Sequence, residues 1–412
     1  MNIQIQPHKL MGTVKVPSSK SMAHRMLICA ALSKGTSEIS GISFSKDIEA
    51  TLSVMQALGA EFSIREDTVK VTGITDLPEK ALADCCESGS TLRFLIPVAA
   101  ALGIETTFTG QGRLPQRPIT PYLREMSKKG ISFHDYQNTM PFTVSGRLQS
   151  GKFEIEGDIS SQFVTGLLLA LPLLHEDSEI FVTSPLESKP YADMTVDCMA
   201  NCGVCVKAIP NGWHIFGNQH YHAKNLTVEG DFSQAAFFYV ANAIGNQIML
   251  ENIPEKSVQG DRKIVEFIEK MCYQKNQAKE KFLIDARDIP DLVPILSVLA
   301  TFSDRPTIIC NAQRLCIKES NRLETTAAML NALGGKVRIT PDGLEIFPAV
   351  LHGGTVDSAG DHRIAMCAAI AASGASAPVT ILGAECVEKS YPAFFTDYQN
   401  LGGIIHGIDM ES

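Results

Sequence analysis

The first residues of several predicted helices are cations and hydroxyls, a combination that can bind an anion. In the segment PSSKSMAHR, Lys20, Ser21 and Arg25 open a predicted helix, and the two cations lie about one turn apart. An ammonium and a guanidinium suit a phosphate or a carboxylate, and a helix start adds its own unpaired N–H groups. A single exposed lysine is usually only solvated, but this combination predicts an anion site.

Two further segments supply anion contacts. The segment ESGSTLR places Gly89 and Ser90 at a helix start, where backbone N–H groups can approach an anion, although it lacks the spacing and the lysine of a nucleotide P-loop. The loop GRLPQRPITPYL brings Arg117 to the start of another helix, beside Pro118, a residue type favoured in a first helical turn. We expect Arg117 to pair with a carboxylate through two parallel hydrogen bonds.

Hydroxyl and amide side chains follow in the middle of the chain. Ser160, Ser161 and Gln162 suit the orientation of a polyhydroxylated ligand, although they are equally suited to capping a helix. Ser188 and Tyr191, in the segment SKPY, are predicted on a connecting loop, where the alternative is a solvated turn.

Carboxylates join the cations in the C-terminal half. Asp291 opens a predicted helix, and the segment KESNR opens the next one with Lys318, Glu319 and Arg322. One carboxylate can accept a proton from a hydroxyl while a second acid or a lysine delivers one to carbon, provided that neighbours tune their pKa values. These segments therefore predict acid–base chemistry beside the anion contacts.

The last candidates lie in the segments DHR and EKSYP, which contribute His362, Arg363 and Lys389. The histidine fits a structural role as well as a functional one. Arg363 and Lys389 are the stronger candidates for binding an anion.

The elements that must position these residues recur six times. A short strand leads through a Gly-rich, Ser-rich or acidic turn into a helix, and a second strand, a second helix and a hairpin follow. One residue near the helix start of each unit marks its position: Ser21, Ser90, Ser161, Ser233, Asp291 and His362. The intervals between successive marks are 69, 71, 72, 58 and 71 residues. We attribute the short interval to a missing hairpin strand after Cys272. The unit is βαβαββ, although any α/β protein alternates strands and helices.

Six units divide naturally into two domains of three, which agrees with a length of 412 residues. If the helices of each domain run parallel, their amino termini gather at one face. Such a face attracts anions, because helix amino termini carry partial positive charge.

Composition restricts the class of function. A formal charge of -9 argues against a general nucleic-acid surface. The longest apolar run, residues 164–174, is too short to span a membrane, and the first residues lack a secretory signal, so we expect a cytoplasmic protein. Cys202 and Cys205 have half the spacing of a zinc site without a second pair, so we expect core packing and no metal.

In their order along nearly the whole chain, these motifs resemble the 5-enolpyruvylshikimate-3-phosphate (EPSP) synthase family. The resemblance implies an α/β fold of two inside-out, barrel-like domains, each of three βαβαββ units. Residues 19–225 would form one domain, residues 1–18 and 226–412 a discontinuous second one, and the active site would lie in the cleft between them.

The resemblance also implies a reaction. The enolpyruvyl group of phosphoenolpyruvate passes to the 5-hydroxyl of shikimate 3-phosphate through a tetrahedral intermediate, and phosphate is released. No metal or other cofactor is needed, and neither nucleic acid nor a membrane is a partner. From the resemblance to the family, we expect the protein to be a monomer.

The family's site residues carry over to the matching positions of this chain. Those that resemble the shikimate 3-phosphate contacts are Lys20, Ser21, Arg25, Ser160, Ser161, Gln162, Ser188, Tyr191, Asp291 and Lys318. Those that resemble the phosphoenolpyruvate contacts are Lys20, Gly89, Arg117, Gln162, Arg322, Arg363 and Lys389. Asp291 is similar to the family's proton acceptor and Glu319 to its proton-transfer partner, and Lys20 and His362 complete the implied catalytic set.

The chain departs from the family's pattern at three positions. Glu87 stands where many members have Asn or Asp, and Asn321 stands where many have Asp. Arg314 falls where some members direct an Asn toward the shikimate phosphate.

Two other functions also fit parts of the sequence pattern. The sister enolpyruvyl transferase that acts on UDP-N-acetylglucosamine usually has a cysteine in the loop that corresponds to residues 111–118, where this chain has none. It also has a Lys-Asn pair where this chain has Lys20 and Ser21. A repeat-built binding protein without catalysis is the other alternative, and the presence of Asp291, Glu319 and Lys20 argues against it.

Overall fold

Two units make up the chain, of which this computed structural model describes residues 1–273 and 281–407. The central unit spans Ser18–Glu229, and the terminal unit combines Met1–Pro17 with Gly230–Ser412. The hairpin strand that we predict to be missing after Cys272 concerns residues 274–280, which lie outside the described residues.

Three four-stranded sheets of the central unit, all of which is described, share one topology. Each has a parallel pair of strands followed by an antiparallel hairpin, with the second arm of the hairpin next to the pair. In order across each sheet, the strands are Leu226–Thr227, Thr36–Ser40, Thr68–Thr72 and Glu61–Arg65; Lys80–Asp84, Glu105–Thr109, Phe142–Gly146 and Ile131–His134; and Lys152–Ile155, Ser178–Val182, Gly212–Ile215 and Val206–Ile209. A short parallel pair joins Ser33–Lys34 to Tyr221–His222.

The described part of the terminal unit repeats this topology in two four-stranded sheets. In order, their strands are Phe282–Asp285, Thr307–Cys310, Gly343–Phe347 and Lys336–Thr340; and Gly354–Asp357, Val379–Leu382, Ile3–Gln6 and Ile404–Gly407. In the second sheet the N-terminal strand takes the place of the inner hairpin arm. A parallel pair joins Met11–Lys15 to Gln247–Glu251.

At each of the two chain crossings, a strand pairs in one unit and the helix that follows it belongs to the other unit. Met11–Lys15 precedes the first helix of the central unit but pairs within the terminal unit. Leu226–Thr227 precedes the first long helix of the terminal unit but pairs with Thr36–Ser40 in the central unit. We predict residues 1–18 and 226–412 in one domain, whereas Ser18 and Leu226–Glu229 lie in the central unit. A repeat pattern shows that a strand precedes a helix but not which sheet the strand joins.

The helices alternate along the chain between an inner and an outer set. The inner helices are Lys20–Ala31, Gly89–Leu102 and Ser161–Ala170 in the central unit, and Phe232–Ala243, Val293–Thr301 and His362–Ala372 in the terminal unit. The outer helices are Lys46–Ala57, Thr120–Ser127, Lys189–Asn201, Lys263–Ile268, Arg322–Ala332 and Phe394–Asn400.

Burial explains the inner position. Every residue of Val293–Thr301 and of His362–Ala372 is buried, and a helix that is apolar on all sides needs packing on all sides. The strands bury one face and expose the other, as the alternating pattern of Lys152–Ile155 shows. Each unit thus has helices inside, sheets outside and an apolar core of its own.

Within the described ranges, no helix is both long enough and apolar enough to cross a bilayer.

Gly166 lets two inner helices of the central unit pack closely. A Cβ at this position would lie 2.3 Å from the carbonyl oxygen of Arg93 and 2.3 Å from the hydroxyl of Tyr122. That hydroxyl is itself held in place, because it donates a hydrogen bond to the Arg93 carbonyl at 2.7 Å. The backbone oxygen cannot move aside without displacing its helix.

We therefore expect Gly166→Ala to reduce the free energy of unfolding by about 1–3 kcal/mol, because an added methyl overpacks the helix contact. Urea unfolding of the full chain measures the loss. Gly407→Ala is the matched control, since a Cβ there would meet no heavy atom of the described residues within 4 Å, and it should change stability by less than about 0.5 kcal/mol. Equal unfolding midpoints for the two variants would contradict the packing described here.

Candidate active site

One guanidinium joins three carboxylates of the terminal unit. Arg322 is the first residue of its helix and is 1% exposed. It donates to Asp291 Oδ1 at 2.8 Å, to Glu319 Oε2 at 2.7 Å and to Asp361 Oδ2 at 2.8 Å. A buried charge needs such compensation, and three carboxylates supply it.

A second guanidinium joins three helix starts. Arg363 lies in the first turn of His362–Ala372, and its Nη2 donates to Ser233 Oγ at 2.5 Å, in the first turn of Phe232–Ala243. The same guanidinium lies 3.2 Å from Asp291 Oδ2, in the 3₁₀ turn before Val293–Thr301. The starts of all three inner helices of this unit therefore meet.

These charges set the protonation state of Asp291. Burial by itself would raise the pKa of Asp291, but the positive charges of Arg363, Lys318 and Arg322 outweigh it and hold the pKa well below its ordinary value. Burial also lowers the pKa of Lys318 to about 8, although Asp291, 3.9 Å away, opposes the shift. The pair thus combines an ionised carboxylate with a lysine whose pKa is about 8.

The remaining candidates of the terminal unit, His362 and Lys389, each lie at the end of a helix. His362 is the first residue of its helix and is 2% exposed, with Nδ1 4.0 Å from Asp361 Oδ1. Asp361 caps the same helix by accepting from the backbone N–H of Arg363. Lys389 ends the 3₁₀ helix Ala384–Lys389, where it is half-buried.

In the central unit, Lys20 and Ser21 begin the first inner helix. The ammonium of Lys20 donates to Asp47 Oδ2 at 2.9 Å. Arg25, one turn further on, is buried and donates to the carbonyl of Ser21 at 2.7 Å. Burial lowers the pKa of Arg25 to about 10, so the guanidinium remains charged at neutral pH.

Arg25 also connects two helix starts. It donates to the carbonyl of Tyr191 at 2.9 Å and to Thr195 Oγ1 at 2.8 Å. The segment with Ser188 and Tyr191 was predicted as a loop, but Ser188 is buried at the N-cap and Tyr191 lies in the first turn of Lys189–Asn201. A left-handed backbone at Ser188, with φ of 57°, makes the sharp entry that sequence patterns do not reveal.

Gly89 and Arg117 are in direct contact. Gly89 is the first residue of its helix, and a Cβ there would lie 2.5 Å from Arg117 Nη1, so the guanidinium rests against the glycine backbone. Arg117 does not open a helix as predicted. The next helix begins at Thr120, and Pro121 occupies the first-turn position that we assigned to Pro118.

The amide of Gln162 connects two inner helices of the central unit. Its Oε1 accepts from Arg93 Nη1 at 2.8 Å, and its Nε2 donates to Ser90 Oγ at 3.1 Å. Ser160 is the N-cap of this helix and accepts from the backbone N–H of Gln162, and Ser161 is the buried first residue.

Sequence reasoning missed three partners of these residues. Asp47 pairs with Lys20, Asp361 pairs with Arg322, and Arg93 holds Gln162. Arg93 and Asp361 stand in the segments ESGSTLR and DHR, so their positions at helix starts are an available signal. Asp47 lies in the first turn of Lys46–Ala57, where an acidic residue also fits the ordinary charge preference of a helix start.

Within the described ranges, no three His, Cys, Asp or Glu side chains cluster in a way that could hold a metal ion. Cys202 is buried and Cys205 is exposed, and all eleven cysteines are free thiols.

Comparison with known proteins identifies the family. The profile of EPSP synthase (3-phosphoshikimate 1-carboxyvinyltransferase) matches residues 5–398. The chain belongs to this family. The predicted function is thereby confirmed: the enzyme transfers the enolpyruvyl group of phosphoenolpyruvate to shikimate 3-phosphate, a step of the shikimate pathway to aromatic compounds.

Relatives match along almost their whole length. The 3-phosphoshikimate 1-carboxyvinyltransferase of Clostridium kluyveri is 45% identical, with 98% of each chain covered. That of Clostridium perfringens is 42% identical, with 98% of this chain and 99% of the relative covered. A solved structure of EPSP synthase from Acinetobacter baumannii has a TM-score of 0.82 at 23% identity, covering 98% of this chain and 100% of that one. This likeness confirms the predicted α/β fold class.

The ion pairs of Arg322 with Asp291, Glu319 and Asp361 should contribute strongly to stability. Arg322→Met leaves three carboxylates close together without their shared cation, so the free energy of unfolding should fall by about 3–5 kcal/mol. The matched control is Arg338→Met, which removes an exposed partner of Glu345 and should cost less than about 1 kcal/mol. Urea unfolding at neutral pH measures both, and a loss for Arg322→Met no larger than the control's would contradict the central role of this guanidinium.

Proposed function

We propose that the clusters of both units act in this one reaction, with the roles that the family resemblance implies. The observation that carries the proposal is Asp291, an ionised carboxylate held among Arg322, Arg363 and Lys318. An ionised carboxylate can accept the proton of the 5-hydroxyl, and nearby cations can bind the anionic substrates.

Shikimate 3-phosphate is a sugar-like ring with one phosphate and one carboxylate. Its proposed contacts combine cations with hydroxyl and amide groups: Lys20, Ser21, Arg25, Ser160, Ser161, Gln162, Ser188, Tyr191, Asp291 and Lys318. Arg25 supports this set. Its guanidinium is oriented by neutral oxygen atoms of Ser21, Tyr191 and Thr195, which do not neutralise its charge, so the charge can attract a phosphate.

Phosphoenolpyruvate is a compact polyanion and needs several cations. The proposed contacts are Lys20, Gly89, Arg117, Gln162, Arg322, Arg363 and Lys389. The close contact of Arg117 with Gly89 supports this set, because a side chain at position 89 would displace the guanidinium. The same cations would stabilise the phosphate as it leaves.

The proposed reaction proceeds in two stages. In the first, the 5-hydroxyl oxygen bonds to the central carbon of phosphoenolpyruvate, Asp291 accepts its proton, and an acid protonates the methylene carbon. In the second, the carbon–phosphate oxygen bond of the tetrahedral intermediate breaks, a proton leaves the methyl carbon, and the double bond forms again. We assign the transfers at carbon to Glu319 and Lys20, with His362 beside them.

Substrate binding would also tune the base. In the free chain the pKa of Asp291 is held too low for an efficient proton acceptor at neutral pH. Substrate anions that pair with Arg363 and Lys318 would offset these charges, and the pKa of Asp291 would rise. The carboxylate would then become basic only when both substrates are bound.

We further propose that the enzyme works as a monomer in the cytoplasm. The family resemblance supports both statements. Light scattering coupled to size exclusion tests the first, since a mass near 44.7 kDa is expected and a stable mass of twice that value would exclude a monomer.

Steady-state kinetics of phosphate release tests the residue roles. We expect Lys20→Ala and Asp291→Asn each to lower kcat/KM at least about tenfold, because they remove a substrate cation and the proposed proton acceptor. Lys80→Ala and Asp285→Asn are matched controls, since both residues are exposed members of ion pairs. Wild-type rates for either site variant, or equal losses in its control, would exclude the assigned role.

The pKa of Lys318 predicts a pH dependence. The ammonium is protonated below about pH 8 in the free enzyme, so affinity for shikimate 3-phosphate should fall as pH rises through that value. Calorimetric titration should show binding about fivefold to tenfold weaker at about pH 9 than at about pH 7. Lys318→Arg keeps its charge over this range and should lose most of the dependence. A wild-type affinity that is constant across the range would refute the assignment.

A further inference from the structure

A chain of buried hydrogen bonds leads from His24 to the start of the helix that carries Gly89. His24 Nδ1 lies 2.7 Å from Thr51 Oγ1, and Thr51 Oγ1 lies 2.7 Å from Thr91 Oγ1. The Thr91 hydroxyl donates in turn to Ser88 Oγ at 2.7 Å. Each of these four side chains is at most 1% exposed, and none belongs to the proposed substrate contacts.

The chain ends at the cap of this helix. Ser88 is the N-cap, and its Oγ accepts from the backbone N–H of Thr91 at 3.2 Å. The first N–H groups of a helix have no partner within the helix, so this cap satisfies one of them and leaves those of Gly89 and Ser90 to meet an anion. The position of the cap therefore determines where these two N–H groups lie.

The single proton of each hydroxyl gives the chain a direction. The proton of Thr91 is used on Ser88 Oγ or on the carbonyl of Asp47, 3.4 Å away, so toward Thr51 the oxygen of Thr91 can only accept. Thr51 therefore donates to Thr91, and its own oxygen accepts from the histidine. It follows that His24 carries its ring proton on Nδ1.

The other ring nitrogen has no such use. Burial lowers the pKa of His24 to about 3, with Asp47 opposing the shift, so the ring is neutral at neutral pH and has one proton to place. With that proton on Nδ1, Nε2 is a bare acceptor. It is buried, and among the residues that the structure describes it has no hydrogen-bond partner. An unsatisfied buried acceptor costs stability, which favours a functional reason for a histidine here.

We propose that His24 is a positioning residue for phosphoenolpyruvate, because its Nδ1–H orients the hydroxyl chain that holds the Ser88 cap and the helix start at Gly89. The inference rests on the proposed contact between Gly89 and phosphoenolpyruvate. His24 itself touches no substrate. Its neighbour Arg25 is fixed by other partners, so the affinity for shikimate 3-phosphate does not depend on His24.

The test is steady-state kinetics of full-length variants, with each substrate varied at saturation of the other. His24→Phe removes the donor but keeps a ring perpendicular to Phe94, whose centroid lies 6.3 Å away. It should raise KM for phosphoenolpyruvate about fivefold, while kcat and KM for shikimate 3-phosphate change less than about twofold. His24→Asn can place an amide N–H near the position of Nδ1 and should recover most of the loss.

A matched control removes another histidine of the same unit. His134 Nε2 lies 2.7 Å from Ser145 Oγ, and both residues are exposed or partly exposed. His134→Phe should leave both KM values and kcat unchanged. An equal rise in KM for phosphoenolpyruvate in this control would overturn the proposal.

Stability separates positioning from a merely structural role. His24→Phe removes the unsatisfied Nε2, so its urea midpoint should not fall below that of the wild type. A rise in KM that comes with a lowered midpoint, or that is equal for both substrates, would overturn the proposal. Thr51→Val breaks the chain at the next bond and should raise KM for phosphoenolpyruvate similarly. The double variant His24→Phe/Thr51→Val should be no worse than Thr51→Val, because both changes break one chain.

NMR measures the position of the ring proton directly. Long-range proton–nitrogen spectra of the free enzyme with nitrogen-15 histidine, assigned by the signals that His24→Phe removes, should show a proton on Nδ1 and none on Nε2 at neutral pH. A proton on Nε2 would reverse the donor at the head of the chain and refute the inference.

Gly89→Ala distinguishes the failure of this inference from failure of the proposed site. A rise in KM for phosphoenolpyruvate in Gly89→Ala, with wild-type values in His24→Phe and Thr51→Val, would keep the Gly89 contact and refute positioning by His24. Unchanged KM in all three would refute the Gly89 contact, and the positioning role with it.

Discussion

A buried guanidinium needs acceptors at fixed positions, and in the terminal unit this need determines how the charged helix starts are arranged. Arg322 is buried, and its Asp291, Glu319 and Asp361 partners come from different places along the chain. Removing any charge from this group leaves the others uncompensated in a poorly solvated place. The helix starts are therefore locked together by charge, and Asp291 is held ionised as a consequence.

The central unit satisfies its buried cations differently. Arg25 donates to carbonyl and hydroxyl oxygens of Ser21, Tyr191 and Thr195, and these neutral partners orient the guanidinium without cancelling its charge. The terminal unit thus offers carboxylates tuned by cations, which suits proton transfer. The central unit offers an oriented cation beside hydroxyl and amide groups, which suits a phosphorylated ring.

The sequence predicted the repeated βαβαββ unit and the polar helix starts, because period and residue type are local signals. The family resemblance implies that residues 1–18, which include Met11–Lys15, belong to the second domain. The sequence did not predict that Leu226–Thr227 pairs in the central unit, since a strand looks the same in the sequence whichever sheet it joins. It also missed the pairing of Lys20 with Asp47 and of Arg322 with Asp361, which only the folded chain brings together.

Carbon-13 NMR of aspartate carboxyl groups measures the ionisation of Asp291 directly, with Asp291→Asn providing the assignment. We predict a titration midpoint well below the ordinary aspartate value of about 3.9 in the free enzyme, and a rise when both substrates are bound. A midpoint at or above that value in the free enzyme, or one that ignores the substrates, would contradict the account.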